Sequence, residues 1–331
     1  MIVVLRADVG DAQAIAVERA LRAAGGEPKR LESERKAFAV RGVSSDLARA
    51  LDGVAEVFDD PTPHPRASRP GEPTTVTIRG AHRVGRGAPA QIIAGPCAVE
   101  SPEQLETIAS ACASHGIRLL RGGAFKPRTS PYSFRGHGIE AMQWMRAAAD
   151  RHGLAVVTEV MEPATVEAAI EYADVLQIGS RNMQNFPLLA AVGRVKKAVL
   201  LKRGMSATLE EWLLAAEYVL EGGNDQVILC ERGVRSFDPA ARNLLDLAAV
   251  PLLRARTHLP VIVDPSHGVG VRDAVIPMAC AAIAAGADGV MVEVHPDPGS
   301  AKSDGFQALT LPMLGELVKR VRAVEAALTR I

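Results

Sequence analysis

The chain has 331 residues, 48% of them apolar, and its 38 basic side chains are balanced by 38 acidic ones. Such a length supports one large domain, or one large and one small, and zero net charge leaves no electrostatic footprint for nucleic acid or an anionic membrane. No apolar run approaches the roughly 18 to 20 residues that cross a bilayer. The opening MIVVLR is too short for a signal peptide, and the four cysteines are scattered without a C-x-x-C. Together these features predict a cytoplasmic protein with reduced thiols and neither a nucleic-acid nor a membrane partner.

Residues 1–60 read as a complete small unit. IVVLR is a strand, and Asp11 to Ala24 has helical periodicity ending at Gly25-Gly26. EPKRLE and KAFAVRG follow as paired strands, Ser44 or Ser45 caps a short helix through Leu51, and VAEVF closes the unit. The order βαββαβ is that of a ferredoxin-like fold, with Val4, Val17, Leu21, Leu31, Val40, Leu51 and Val57 as its expected core. Residues 61–75, rich in Pro and charge and without periodicity, read as a linker.

Residues 76–331 read as a second domain that opens on a hairpin, VTIRGAHRVGRG. From residue 90, strand and helix patterns alternate: QIIAG, IRLLRG, LAVVTEV, DVLQIG, KAVLLK, QVILCE, PVIVD and DGVMVEV are separated by helical stretches such as Glu103 to His115, Leu209 to Glu221 and Arg272 to Ala285. A last helix starts at Pro312. Eight such strands match a parallel (β/α)8 barrel, so the fold class is α/β. A doubly wound sheet fits less well: no G-x-G-x-x-G follows the first strand, and GVGVRD lacks the third glycine.

Each of these strands is apolar through its body and polar at its C-terminal end. The ends carry Cys97, Arg121, Glu159, Gln177 with Arg181 just beyond, Lys202, Glu231-Arg232, Asp264 with His267, and Glu293. Lys, Arg and Glu are rarely buried unpaired, and in a (β/α)8 barrel all such ends converge on the mouth that carries the chemistry.

The polar residues fall into two chemical groups. Arg121, Lys126, Arg128, Arg181, Lys202 and Arg232 are cations whose convergence implies a polyanionic ligand or two anionic ligands. In the same loop Thr129 and Ser130 offer hydroxyls that suit a phosphate. Cys97, His267, Glu293 and Asp304 form a mixed soft and hard set suited to Mn, Fe, Co or Zn. Taken singly, Cys97 also reads as a small buried group, the reading given to Cys112, Cys230 and Cys280. His267 and Asp304 also read as turn residues.

In order between residues 90 and 306, IAGPCAVES, LLRGGAFKPRTSP, IGSRNMQN, LLKRGM, ILCERGVR, DPSHGVG and VEVHPDPGSAKSDG resemble the motifs of 3-deoxy-D-arabino-heptulosonate 7-phosphate (DAHP) synthase. The nearest form is type I-beta, with an N-terminal ferredoxin-like regulatory domain. The resemblance implies a transferase that opens the shikimate pathway of aromatic amino acid biosynthesis: phosphoenolpyruvate, erythrose 4-phosphate and water give DAHP and phosphate.

Position by position, it implies Cys97, His267, Glu293 and Asp304 as ligands of one divalent metal per subunit, manganese foremost, with iron, cobalt or zinc as alternatives. It places phosphoenolpyruvate on Arg121, Lys126, Ser180, Arg181, Lys202 and Arg232, and erythrose 4-phosphate on Pro127, Arg128, Thr129 and Ser130. Lys126, His267 and Cys97 are its catalytic residues. For the water proton, Lys126, Glu159, His267 and a metal-bound hydroxide all stay open. The sister family that takes arabinose 5-phosphate, the 3-deoxy-octulosonate 8-phosphate synthases, typically reads K-A-N-R-S where this chain has Lys126-Pro127-Arg128-Thr129-Ser130. The resemblance further implies a homotetramer, tyrosine or phenylalanine as an allosteric effector of the small domain, and a separate chorismate mutase as a partner.

Overall fold

The computed structural model describes residues 1–33, 35–59, 62–68, 72–126 and 132–328. The chain divides into two compact units, Met1–Pro70 and Gly71–Ile331.

In the first unit, β1 (Ile2–Leu5), β2 (Lys29–Leu31), β3 (Ala37–Ala39) and β4 (Val54–Phe58) form one antiparallel sheet in the order β2-β3-β1-β4. Period-two alternation sends Val3 and Leu5 to one face and Val4 to the other. On the first face they pack with Val17 and Leu21 of helix Asp11–Ala23 and Ala48 of helix Ser45–Arg49. Ser44 caps the second helix by accepting from the Leu47 amide. The opposite face holds Val4, Ala37 and Phe58.

Of the expected core residues, Val4, Val17, Leu21 and Val40 are buried and Leu31, Leu51 and Val57 only partly so. Within the stretch 61–75, read as a linker, the described residues 62–68 carry packed side chains. Arg66 stacks over the Phe58 ring at 5.6 Å and bonds both Glu56 oxygens at 3.0 Å, while Ala67 is fully buried. A proline-rich segment without periodicity packs here through single side chains, which no periodic pattern reports.

The second unit opens on a hairpin of β5 (Val76–Ile78) and β6 (His82–Val84). Its turn bonds the Ala81 amide to the Ile78 carbonyl and takes Arg79 and Gly80 through positive φ. The barrel strands are β7 (Gln91–Gly95), β8 (Leu119–Gly122), β9 (Ala155–Val160), β10 (Val175–Ile178), β11 (Ala198–Lys202), β12 (Val227–Glu231), β13 (Val261–Val263) and β14 (Gly289–Glu293). All neighbours are parallel, and β14 pairs with β7 to close the barrel. Helices cover the outside, so the strands are buried on both faces and read as near-continuous apolar runs. Inside, Ile93, Leu119, Val157, Leu200, Ile228, Ile262 and Met291 pack together, and Val76, Ile78 and Val84 of the hairpin join the same cluster. The lumen is therefore a packed core, and the polar groups that end the strands lie at the C-terminal mouth. No helix among the described residues is long and apolar enough to cross a membrane.

Candidate metal and anion site

Cys97, His267, Glu293 and Asp304 lie together at that mouth, each offering one ligand atom within 4.8 Å of the others. Among the described residues this is the one such group of His, Cys, Asp and Glu side chains. Four separate segments supply it. Cys97 follows β7, where Gly95 allows the approach, since a Cβ there would stand 1.8 Å from the Arg121 carbonyl oxygen of β8. His267 sits on the short helix Pro265–Val269, capped by Asp264 at the end of β13. Glu293 ends β14. Asp304 comes from the following loop with φ +51°, a left-handed conformation that aspartate tolerates better than most residues.

The chemistry of this group fits a cation. Asp264 is fully buried and bonds His267 Nδ1 at 2.8 Å. Burial alone would raise its pKa, but His267 and Lys202 hold the carboxyl well below the usual range. As a carboxylate it can only accept, so His267 Nδ1 carries the proton. Burial holds His267 below its ordinary pKa, leaving the Nε2 lone pair of the neutral ring 3.2 Å from Glu293 Oε1. Burial opposes ionisation of Glu293 too, but His267, Arg121 and Lys126 bring its pKa down to about 2. Burial, and then the Glu293 charge, push the Cys97 thiol up to about 11, with Lys126 opposing. Its sulfur lies 3.1 Å from Lys126 Nζ and 3.4 Å from Asp304 Oδ2. Lone pairs that face one another at these distances fit a divalent ion, and the Asp264–His267 pair is the carboxylate–histidine arrangement that fixes a ligating imidazole.

The cations form the adjoining wall. Arg121, Lys126, Ser180, Arg181, Lys202 and Arg232 line one cavity with His267 and Asp304. Arg121, Lys202 and Arg232 are buried, whereas Arg181 is exposed. Arg121 bonds Glu293 Oε1 and the Pro96 carbonyl, both at 2.9 Å, and its Nε is buried without a hydrogen-bond partner. Lys202 pairs with Asp264. Glu159 and Gln177 reach the same cavity, and the Glu159 carboxylate lies over Gly179, where a Cβ would come within 2.0 Å of its oxygen. Pro127, Arg128, Thr129 and Ser130 lie outside the described residues.

Some placements depart from the sequence reading. Glu231 does not line this cavity: it is fully buried against Arg203, at 2.8 Å, and burial raises its pKa despite that partner. Its strand-end position matched the pattern, but the charge serves a buried pair. Cys112 and Cys230 are fully buried, and Cys280 only partly. Three polar residues that the sequence reading missed also stand at the site. Arg242 lines the cavity and meets Asp304 Oδ2 at 3.4 Å, Gln307 bonds Glu293 Oε2 at 2.7 Å, and Asn243 Nδ2 donates to the His267 carbonyl at 3.0 Å. Gln307 was within reach of the SAKSDG motif, three residues past Asp304. Arg242 and Asn243 sit in a non-periodic loop and gave no signal.

The sequence profile described as the DAHP synthetase I family matches residues 73–329. The chain belongs to that family. Among other members, it is 48% identical over 289 residues to a phospho-2-dehydro-3-deoxyheptonate aldolase of Thermotoga maritima, covering 87% of this chain and 85% of that protein. A crystal structure of the Thermotoga maritima DAHP synthase superposes with a TM-score of 0.80 at 43% identity, over 99% of this chain and 97% of that one. A 2-dehydro-3-deoxyphosphooctonate aldolase of Geobacter sulfurreducens is 31% identical over 273 residues, 76% of this chain and 97% of its own length. The DAHP synthetase I match begins at the hairpin and spans the whole barrel, so all the site residues described above lie within it.

Proposed function

We propose that this chain is a metal-dependent DAHP synthase that condenses phosphoenolpyruvate with erythrose 4-phosphate and water, releasing DAHP and phosphate. The observation that carries this reading is the meeting, at one barrel mouth, of a Cys-His-Glu-Asp cluster with a wall of cations, of which Arg121, Lys202 and Arg232 are buried.

Arg121, Lys126, Arg181, Lys202, Arg232 and the Ser180 amide would hold the phosphate and carboxylate of phosphoenolpyruvate. Cys97, His267, Glu293 and Asp304 would hold one divalent ion, manganese foremost, with iron, cobalt or zinc as alternatives. The chemistry that such an ion supplies is Lewis-acid polarisation of the aldehyde oxygen. The enol carbon then attacks the aldehyde carbon, water adds at C2, and phosphate leaves by C–O cleavage. Two phosphorylated substrates repel each other, so most of the task is to hold them at reacting distance, which is what clustered cations accomplish. Lys126, Glu159 and His267 all line the cavity and are the candidates among these side chains for the water proton. The Arg128, Thr129 and Ser130 stretch receives the phosphate end of the sugar.

Phosphate release from phosphoenolpyruvate tests this reading, run with erythrose 4-phosphate and with arabinose 5-phosphate, before and after exhaustive EDTA treatment. The expected outcome is a higher kcat/KM for the four-carbon sugar and loss of turnover on chelation, restored by Mn2+. The octulosonate reading, kept alive by relatives at 31 to 36% identity, predicts the opposite sugar preference. Turnover indifferent to thorough metal removal would refute the metal role.

For the first unit we favour feedback control by tyrosine or phenylalanine within a cytoplasmic homotetramer, with a separate chorismate mutase as a possible partner. The resemblance supports this reading, and the unit's own hydrophobic core supports its folding as a compact piece. Deleting residues 1–70 is expected to abolish inhibition by either amino acid while turnover remains, and inhibition that persists would refute this placement.

A further inference from the structure

Gln307 is fully buried behind the cavity lining, yet it joins both carboxylates of the ligand set. Its Nε2 donates to Glu293 Oε2 at 2.7 Å, and its backbone amide donates to the Asp304 carbonyl at 3.2 Å. Its Oε1 accepts from Arg242 Nη1 at 2.8 Å, and the same nitrogen lies 3.4 Å from Asp304 Oδ2. Arg242 is anchored in turn by its own backbone, since its amide donates to the Val269 carbonyl at 2.9 Å. The next residue, Asn243, holds the His267 carbonyl.

The polarity of this chain of bonds is fixed by chemistry. A guanidinium can only donate, so the amide oxygen of Gln307 must face Arg242, and its NH2 group must then face Glu293. That leaves Glu293 Oε2 held by Gln307 and turns Oε1, which also accepts from Arg121 Nη1 at 2.9 Å, toward His267 Nε2 at 3.2 Å. A carboxylate free to rotate would offer either oxygen, or both, to a metal.

We propose that Gln307 is a positioning residue for the metal centre: opposite Arg121, which holds the other oxygen, it fixes the orientation of the Glu293 carboxylate and, with Arg242, clamps Glu293 to Asp304. The proposal rests on the metal reading given above. Residues that orient metal ligands in this way typically change affinity by about 10- to 100-fold when removed.

The test is Co2+ titration of the full chain without substrates, following the thiolate-to-metal and ligand-field absorption bands. Gln307→Met keeps the volume and removes both side-chain bonds. It is expected to weaken Co2+ binding by about 10- to 100-fold and to alter the ligand-field bands. Gln307→Glu is expected to weaken binding further, because it sets a second carboxylate against Glu293. Arg242→Met, at a side chain one-third exposed, breaks the same link outside the core and decides the matter if the Gln307 variants do not fold. Wild-type affinity and spectrum in Gln307→Met, or in Arg242→Met should that variant alone fold, would overturn the positioning role. A wild-type chain that shows no thiolate-to-metal band would overturn the metal reading itself, and the proposal with it.

Discussion

Replacing Cys97 with serine is expected to leave the barrel folded while metal affinity and turnover fall together, turnover by about 10²- to 10⁴-fold. The magnitude follows from several kcal/mol of Lewis-acid stabilisation, at about 1.4 kcal/mol per tenfold. The substitution exchanges sulfur for a slightly smaller oxygen at a site that is 4% exposed, and the hydroxyl can keep the bonds to Ser303 and Lys126 that the sulfur makes. Packing therefore changes little. The ligand chemistry changes more, because a buried thiol whose pKa stands at about 11 ionises when a metal displaces its proton. A serine hydroxyl stays neutral and is a poor ligand for a transition ion. Chelator competition, phosphate release and circular dichroism on the same preparation check the three parts. A variant that keeps its metal and its turnover would show that Cys97 is only a small packed residue after a Gly-Pro break.

Asp264→Asn is expected to cost more stability than any other isosteric change at the site, about 3–5 kcal/mol. Asp264 Oδ2 receives both Lys202 and His267 Nδ1, while Oδ1 receives the His267 amide. With asparagine, one of these donors must meet the NH2 group, and Lys202 is left as a buried charge without its partner. If His267 answers by moving its proton to Nε2, it can no longer ligate. Metal affinity should then fall by about 10- to 100-fold alongside the stability.

The pH dependence has a definite sign. The folded pKa of Asp264 is depressed well below the ordinary 3.8, so its contribution is fully present above about pH 4 and is lost as pH falls through the folded value. The contribution of the Asp264 carboxylate to the stability gap between wild type and variant should persist from neutrality to about pH 4 and be lost only below it. Urea denaturation across that range measures it. A gap below 1 kcal/mol would mean that Lys202 finds another partner.

Much of this protein was legible from residue order. Strands buried on both faces must be apolar throughout, so QIIAG, AVLLK and VILCE announced themselves, and the helix Leu209–Glu221 lies where its periodicity put it, with Thr208 as its cap. The strand-end polar residues were legible for a related reason: a charge that ends an apolar run has few places to go but the mouth of a closed barrel. Glu231 shows the limit of that inference. It satisfies the same local pattern, yet Arg203, the residue next to Lys202, captures it below the site.

The packed segment 62–68 and the Arg242–Gln307 link were not legible, because neither depends on periodicity. Arg66 meets Phe58 and Glu56 through one side chain, and Arg242 reaches Gln307 across 65 positions of sequence. The amino-acid order by itself determined the eight-strand alternation and the small βαββαβ unit, because propensity and burial act locally, and its resemblance to the family's motifs pointed to the Cys97, His267, Glu293 and Asp304 cluster. Only the tertiary structure decided which oxygen of Glu293 faces inward, which nitrogen of His267 holds its proton and which buried charges serve the fold. Those properties belong to bonds between distant segments, and such bonds have a direction only once the chain has closed.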